Sequence, residues 1–329
     1  MNNVIPRIMQ PTDSYVRCYP RLVELANQQL DKQFWTSTEM KVELDRMQML
    51  YVLSPSQLHA IKFVLNLFLK YELMVGDFWK ETVAKTFPRP EVKLVSSVID
   101  MVERAIHAEF YDQLNKQLGL DTDEHYIAYT KDPELAERVQ WLDNVLDGED
   151  KVLATIIFSM TETCLLFSSF SILKSFQSNG YNLIPVTVRG TNQSSIDEDL
   201  HGQISAEIIN TYYSEMGSSL KQDKERLNAV MEAIQYAYSH ECKIIDMAIL
   251  EDSLNGVKKQ EFKEMVKHRF NIFANRLGLD NVFEIGECSI IDWFEKNTYA
   301  YKVVDFFTPG MGMEYETAWD ETGFTKAWE

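Results

Sequence analysis

The chain is poor in the residues that build extracellular frameworks or interrupt helices. Its 329 residues include only four cysteines, Cys18, Cys164, Cys242 and Cys288. They are dispersed with no CxxC spacing, which argues against a disulfide framework or zinc ribbon and predicts four free thiols in a reducing cytoplasm. Positive charge is also short: 32 Lys and Arg stand against 50 Asp and Glu, a formal charge of −18. Such a surface repels a phosphate backbone, so no nucleic-acid partner is expected. The amino terminus lacks a basic-then-apolar secretion signal. Long apolar runs are scarce too, and only residues 152–176 have the length of a membrane span. That run carries Glu162 near its middle and eight Ser or Thr. A carboxylate there costs a spanning helix about 3 kcal/mol. The run is therefore read as a buried helix of a soluble protein with no membrane partner, and Glu162 becomes the residue to explain.

Proline is absent from residues 56–87, 91–132, 134–184 and 186–308, and glycine is sparse within these stretches. Since proline is expelled from helix interiors, gaps of this length predict unusually long helices. Ile61, Val64, Leu65, Phe68, Leu69 and Leu73 keep the three-four spacing of one buried stripe. Ser54-Pro55, Pro90-Glu91 and Asp132-Pro133-Glu134 read as helix starts. Gly119, Gly148, Gly180, Gly217, Gly256 and Gly278 read as stops, and Asn179-Gly180 through Gly190 as a loop between two long core helices. No repeat of 20–50 residues is found. The expected architecture is all-α: one bundle of long helices over residues 1–305, then a flexible tail over 306–329. The tail is acidic and holds Phe306, Phe307, Tyr315, Trp319, Phe324 and Trp328, a composition suited to docking on a partner.

Four glutamates interrupt apolar helical stretches, and an unpaired buried carboxylate is costly enough that each needs a partner. Glu103 and His107 are four apart in VERAIHAEFY; Glu198 and His201 are three apart in DEDLH. Each pair projects from one helix face. Glu72 in KYELMVGD and Glu162 in MTETCLL stand without a nearby histidine. One such pair is common by chance, and Glu72 alone could partner Lys70 or Lys80. The order Glu, Glu/His, Glu, Glu/His on four separate helices matches the di-metal carboxylate site of ferritin-like bundles. Carboxylates can bridge two metals or shift between them, which suits redox-active ions in an oxygen-rich site.

The segments FWTSTEMKVELD, KYELMVGDFW, ERAIHAEFYDQLN, FSMTETCLLFSSFSILKSFQSNG and IDEDLH, in that order, resemble the small, radical-generating subunit of class I ribonucleotide reductase. The likeness covers nearly the whole chain. It implies a homodimer, for which the helix face at residues 58–69 is a candidate interface. It also implies a di-metal centre that reacts with oxygen, stores an oxidising radical and passes it to a separate large subunit reducing ribonucleotides. By that resemblance Glu72, Glu103 and His107 ligate one metal, and Glu162, Glu198 and His201 the other, with Glu103 and Glu198 bridging. The first ligand is Asp in many members, so Asp77 competes with Glu72 for that role. The Glu form resembles members using manganese/iron, leaving Fe/Fe, Mn/Fe or Mn/Mn open. ExxxH at Glu103 replaces the usual ExxH, and a π-bulge would absorb the extra residue. The stored radical falls on Tyr111, or stays on the metals if Phe110 faces them instead. Trp35, Asp197 and His107 resemble the family's transfer chain, and Tyr315, in competition with Trp319, its tail relay to the large subunit. A stand-alone ferritin-like oxidase is the alternative reading, since it shares the ligands.

Overall fold

In the computed structural model residues 5–300 are described, with side chains as far as Phe294. The tail 306–329, with Tyr315 and Trp319, lies outside the described residues. The long helices are α1 (Pro20–Lys32), α2 (Pro55–Asp77), α3 (Pro90–Val102), α4 (Ala108–Leu118), α5 (Pro133–Asp147), α6 (Lys151–Phe158), α7 (Leu166–Lys174), α8 (Pro185–Glu215), α9 (Lys224–Ala248), α10 (Lys259–Arg276) and α11 (Ser289–Ala300). Among the described residues the only strands are Ser253–Leu254 and Val257–Lys258, paired antiparallel.

Five of these helices begin on a proline, where the missing N–H is one of the unpaired amides anyway. Ser54 Oγ accepts from Gln57 N at 3.2 Å while Gln57 Oε1 accepts from Ser54 N at 2.8 Å, a closed capping box for α2. Asp132 Oδ1 accepts from the amides of Glu134 and Leu135 at 3.0 and 3.2 Å and caps α5. α8 is capped from a distance. Its preceding residue, Ile184, is apolar, and the Asp45 carboxylate instead accepts from Val186 N at 3.3 Å and Thr187 N at 2.6 Å.

The loop read as reaching Gly190 is shorter than expected, because α8 starts at Pro185 and Gly190 lies inside it. Gly190 is there for close approach, not for a turn: a Cβ would meet Phe110 Cζ at 2.3 Å. The apolar run resembling a membrane span lies within Lys151–Gln177, and residues 154–176 of it are buried within the fold. Its hydroxyls turn back onto their own helix: Thr155 Oγ1 donates to Lys151 O, Ser159 Oγ to Ile156 O, Ser171 Oγ to Ser168 O and Ser175 Oγ to Ile172 O. A Ser-rich segment can thereby sit in an apolar core.

Among the described residues three π-turns interrupt the regular ladders. Phe78–Val83 extends α2, Glu103–His107 joins α3 to α4, and Thr161–Leu165 lies between α6 and α7. α2, α3–α4, α6–α7 and α8 form the central bundle; α1 packs on α3 and α8, while α9 and α10 pack on each other and α10 on α7. In the 58–69 stretch Ala60, Ile61, Val64, Leu65, Leu67 and Phe68 are buried within the chain. That stripe serves this core, while Leu58, Phe63 and Leu69 of the same stretch are half-buried.

Candidate metal centre

Glu72 on α2, Glu103 and His107 on one π-turn, Glu162 on another, and Glu198 and His201 on α8 are all completely buried. The fold brings all six together. Glu103 places Oε2 3.1 Å from His107 Nδ1 and Oε1 2.9 Å from His201 Nδ1. Glu198 mirrors it, with Oε1 3.1 Å from His107 Nδ1 and Oε2 3.2 Å from His201 Nδ1. Glu72 Oε2 lies 3.6 Å from His107 Nδ1, and Glu162 Oε2 3.7 Å from His201 Nδ1. Two carboxylates thus span both imidazoles, and two attend one each. The π-turn explains the extra residue between Glu103 and His107: its wider turn brings position i+4 back over position i.

Both Glu72 oxygens, Glu103 Oε1, Glu162 Oε2, Glu198 Oε1 and His201 Nε2 are buried without a hydrogen-bond partner among the described residues. Native interiors rarely tolerate such groups singly, let alone in one cluster. Carboxylate oxygens and imidazole nitrogens without a thiolate form a donor set suited to manganese or iron. The residues present therefore fit a di-metal centre. Burial opposes the imidazolium of His107, yet Glu103, Asp197 and Glu198 hold its pKa well above the ordinary value. His201 is raised against burial in the same way by Glu103 and Glu198. Burial pushes the Glu72 and Glu162 carboxyls well up, and the Glu103 charge adds to the effect at Glu72. Without cations the cluster holds protons, and metal ions compete with those protons for the same atoms.

Asp197, one residue before Glu198, faces the other way. Its Oδ2 accepts from Trp35 Nε1 at 2.8 Å and from His107 Nε2 at 3.1 Å, and its Oδ1 accepts from Gln29 Nε2 at 2.9 Å. With Nε2 donating, His107 turns Nδ1 toward the carboxylates as a ligand must. The Trp35 ring is fully buried, 5.8 Å from that of His107. Tyr111 stacks on Phe68 with ring centroids 4.2 Å apart, and its hydroxyl has no hydrogen-bond partner among the described residues. Burial, then the Glu72 charge, push its pKa well up. Phe110 sits edge-on to Trp35 at 5.7 Å and against Gly190.

Asp77 does not join the cluster: its side chain is 64% exposed and pairs with Arg104, which also bonds Asp100. Trp79, whose Nε1 donates to Glu162 Oε1, was legible only as part of a motif. Its place seven residues after Glu72, two turns along one face, was the available signal. Gln29 carried no signal, since it occupies an ordinary position in an amphipathic helix. A separate grouping, Glu134, Glu137 and His240, is largely engaged by other side chains, although His240 Nε2 has no hydrogen-bond partner among the described residues. Lys243 pairs with Glu134, Tyr236 donates to Glu137, and Arg138 donates to His240 Nδ1.

The family profile described as "Ribonucleotide reductase, small chain" matches residues 18–288. No match is found among curated protein sequences. The ribonucleotide reductase R2 subunit from Clostridium botulinum is similar in structure, with TM-score 0.69 and 18% identity over 85% of this chain and 88% of that one. A putative class I ribonucleotide reductase from Bacillus halodurans gives TM-score 0.74 at 19% identity, over 84% and 99% of the two chains. The dimanganese(II)-NrdF of Streptococcus sanguinis gives 0.67 at 16%, over 83% and 94%. Identities this low speak for the shared fold, and the profile match carries the family. Matched by it over most of its length, this all-α, ferritin-like chain belongs to the ribonucleotide reductase small chain family.

Proposed function

We propose that Glu72, Glu103 and His107 hold one metal and Glu162, Glu198 and His201 a second, and that the centre makes the oxidant a large subunit uses to reduce ribonucleotides. The observation that carries this is the pair Glu103 and Glu198, each reaching both imidazoles, as bridging carboxylates would. When bound, the metals supply oxygen-driven one-electron oxidation. An iron pair heads the assignment, with Mn/Fe or Mn/Mn as alternatives; one similar structure is a dimanganese(II) protein.

Tyr111 stores the oxidising equivalent. Because burial holds its phenol neutral, its proton must leave together with its electron. Trp35, Asp197 and His107 form the exchange path, one hydrogen-bonded chain ending at a ligand. Trp35 is buried, so the path needs a further relay, which we assign to Tyr315, with Trp319 as competitor, in the tail that docks on the large subunit. The chain works in the cytoplasm, in keeping with its four unpaired cysteines. It pairs as a homodimer through the exposed apolar segment of Leu44, Met47, Leu50, Tyr51 and Val52, exposed by 68, 65, 42, 75 and 60%. A stand-alone oxidase would share the ligands, but the family match favours the reductase.

The test is the low-temperature electron paramagnetic resonance spectrum of metal-free protein loaded with ferrous iron, with and without manganese, and exposed to oxygen. A narrow organic signal abolished by Tyr111→Phe is expected. A metal-centred signal indifferent to that substitution moves storage to the metals, and the lack of either signal refutes the reading.

A further inference from the structure

Three consecutive acids on α8 serve three environments. Asp197 meets Trp35, Gln29 and His107, and Glu198 enters the cluster. Asp199 turns to the opposite side, where Oδ1 accepts from Arg269 Nη2 at 2.9 Å and from Arg276 Nη2 at 2.7 Å. Arg269, buried on α10, also donates from Nε to the Thr163 carbonyl at 2.8 Å and lies over the Phe167 ring, 3.5 Å from its centroid. Thr163 follows Glu162 inside the π-turn Thr161–Leu165, and Asp199 follows Glu198. One guanidinium therefore joins the immediate neighbours of two cluster carboxylates carried on different helices.

The approach at this point is close. A Cβ on Gly202 would lie 2.4 Å from Thr163 Oγ1 and 2.8 Å from Arg276 Nη1, so α8 and the π-turn meet where only glycine fits. A π-turn departs from the regular ladder of amide bonds, so the position of its carbonyls depends on outside donors. Arginine suits this task because its planar fork can hold a carbonyl and a carboxylate at once, which a lysine ammonium on a flexible stem does less rigidly. The two halves of the cluster also differ. His107 is oriented by Asp197, whereas His201 Nε2 has no hydrogen-bond partner among the described residues. The half containing His201 has to be ordered from the backbone side.

We infer that Arg269 is a positioning residue for the half-site of Glu162, Glu198 and His201, fixing the spacing between the π-turn and α8 so that both carboxylates meet one cation. This rests on the di-metal reading above. Partners next to metal ligands typically change metal affinity by about 10- to 100-fold, and here the effect falls on one site of two.

The experiment titrates metal-free full-length protein with Mn(II), following bound metal by calorimetry and the coupled-pair spectrum by electron paramagnetic resonance. Arg269→Gln, Arg269→Lys and Arg276→Gln are compared with the unsubstituted chain, and helix content and melting are recorded for each. The unsubstituted chain is expected to take two Mn(II). Arg269→Gln should keep one at unchanged affinity and weaken the other about 10- to 100-fold, with loss of the coupled spectrum. Arg276→Gln, which leaves the Thr163 contact in place, should stay close to the unsubstituted chain. Arg269→Lys preserves the buried charge and provides the folded comparison if the Gln variant does not fold; selective weakening of one site is again expected. Two sites of unchanged affinity in a folded Arg269 variant overturn the inference, as does equal weakening of both. Failure of the unsubstituted chain to bind two metals overturns the di-metal reading itself.

Discussion

Replacing Gly190 by alanine should destabilise the protein although it exchanges a poor helix former for the best one. In an open helix interior the change gains about 1 kcal/mol. Here the new Cβ would stand 2.3 Å from Phe110 Cζ, 2.4 Å from Cε2 and 3.0 Å from Cε1. Carbon atoms pack at about 3.5 Å, so the ring or α8 must move by about 1.2 Å. Phe110 has nowhere easy to go: it is completely buried, edge-on to Trp35 and 5.0 Å from the Tyr111 ring. Overpacking of this kind costs about 1–3 kcal/mol, and more when a ring cannot change rotamer. With the ring boxed in, the upper part of that range, about 2–3 kcal/mol, applies, and after the propensity gain of about 1 kcal/mol the net expectation is a loss of about 1–2 kcal/mol. Denaturant unfolding of the metal-free protein measures it. Phe110→Leu added to Gly190→Ala should restore part of the loss, giving a coupling of at least about 1 kcal/mol between the sites. A neutral or stabilising Gly190→Ala, or strictly additive effects in the double variant, would refute the close-approach argument.

Asp197→Asn keeps the shape of the residue: its amide oxygen can serve Trp35 and His107 while Gln29 turns its own oxygen to the new NH2 group. What goes is the charge behind His107, so metal affinity should fall at least about tenfold at the Glu72, Glu103, His107 half with little loss of fold; unchanged affinity in a Mn(II) titration would falsify this. Met47→Asp with Tyr51→Asp should halve the mass seen by sedimentation from twice that of the chain, because each residue is more than 60% exposed and apolar on the face assigned to the dimer. An unaltered dimer would put the interface elsewhere.

The sequence was most informative where a residue type was out of place. Glu72 and Glu162 in apolar runs, and the Glu103/His107 and Glu198/His201 pairs, were conspicuous because burial of an unpaired carboxylate is costly. Proline marked the helix starts because its chemistry is local: Pro55, Pro90 and Pro133 begin helices as read. The extra residue in ExxxH called for a π-bulge, and Glu103–His107 forms one. Glycine was less legible. Gly190 has the same side chain whether it ends a helix or admits a neighbouring ring, and only the packing of Phe110 distinguishes the two.

Helix content and the residues that form the buried carboxylate and histidine cluster were thus legible in the sequence alone, through the cost of burying charge and the local rules of proline and period. Tertiary structure decided everything that depends on two segments meeting. It set Asp77 on the surface beside Arg104 and Glu72 in the cluster, and turned Phe110 toward Trp35 with Tyr111 on Phe68. It also gave Glu162 the indole of Trp79, Asp197 the amide of Gln29 and Asp199 the fork of Arg269. Those partners lie 70 to 168 positions away in the chain. No local periodicity reaches so far, because such contacts follow from how whole helices pack and not from the residues that flank them.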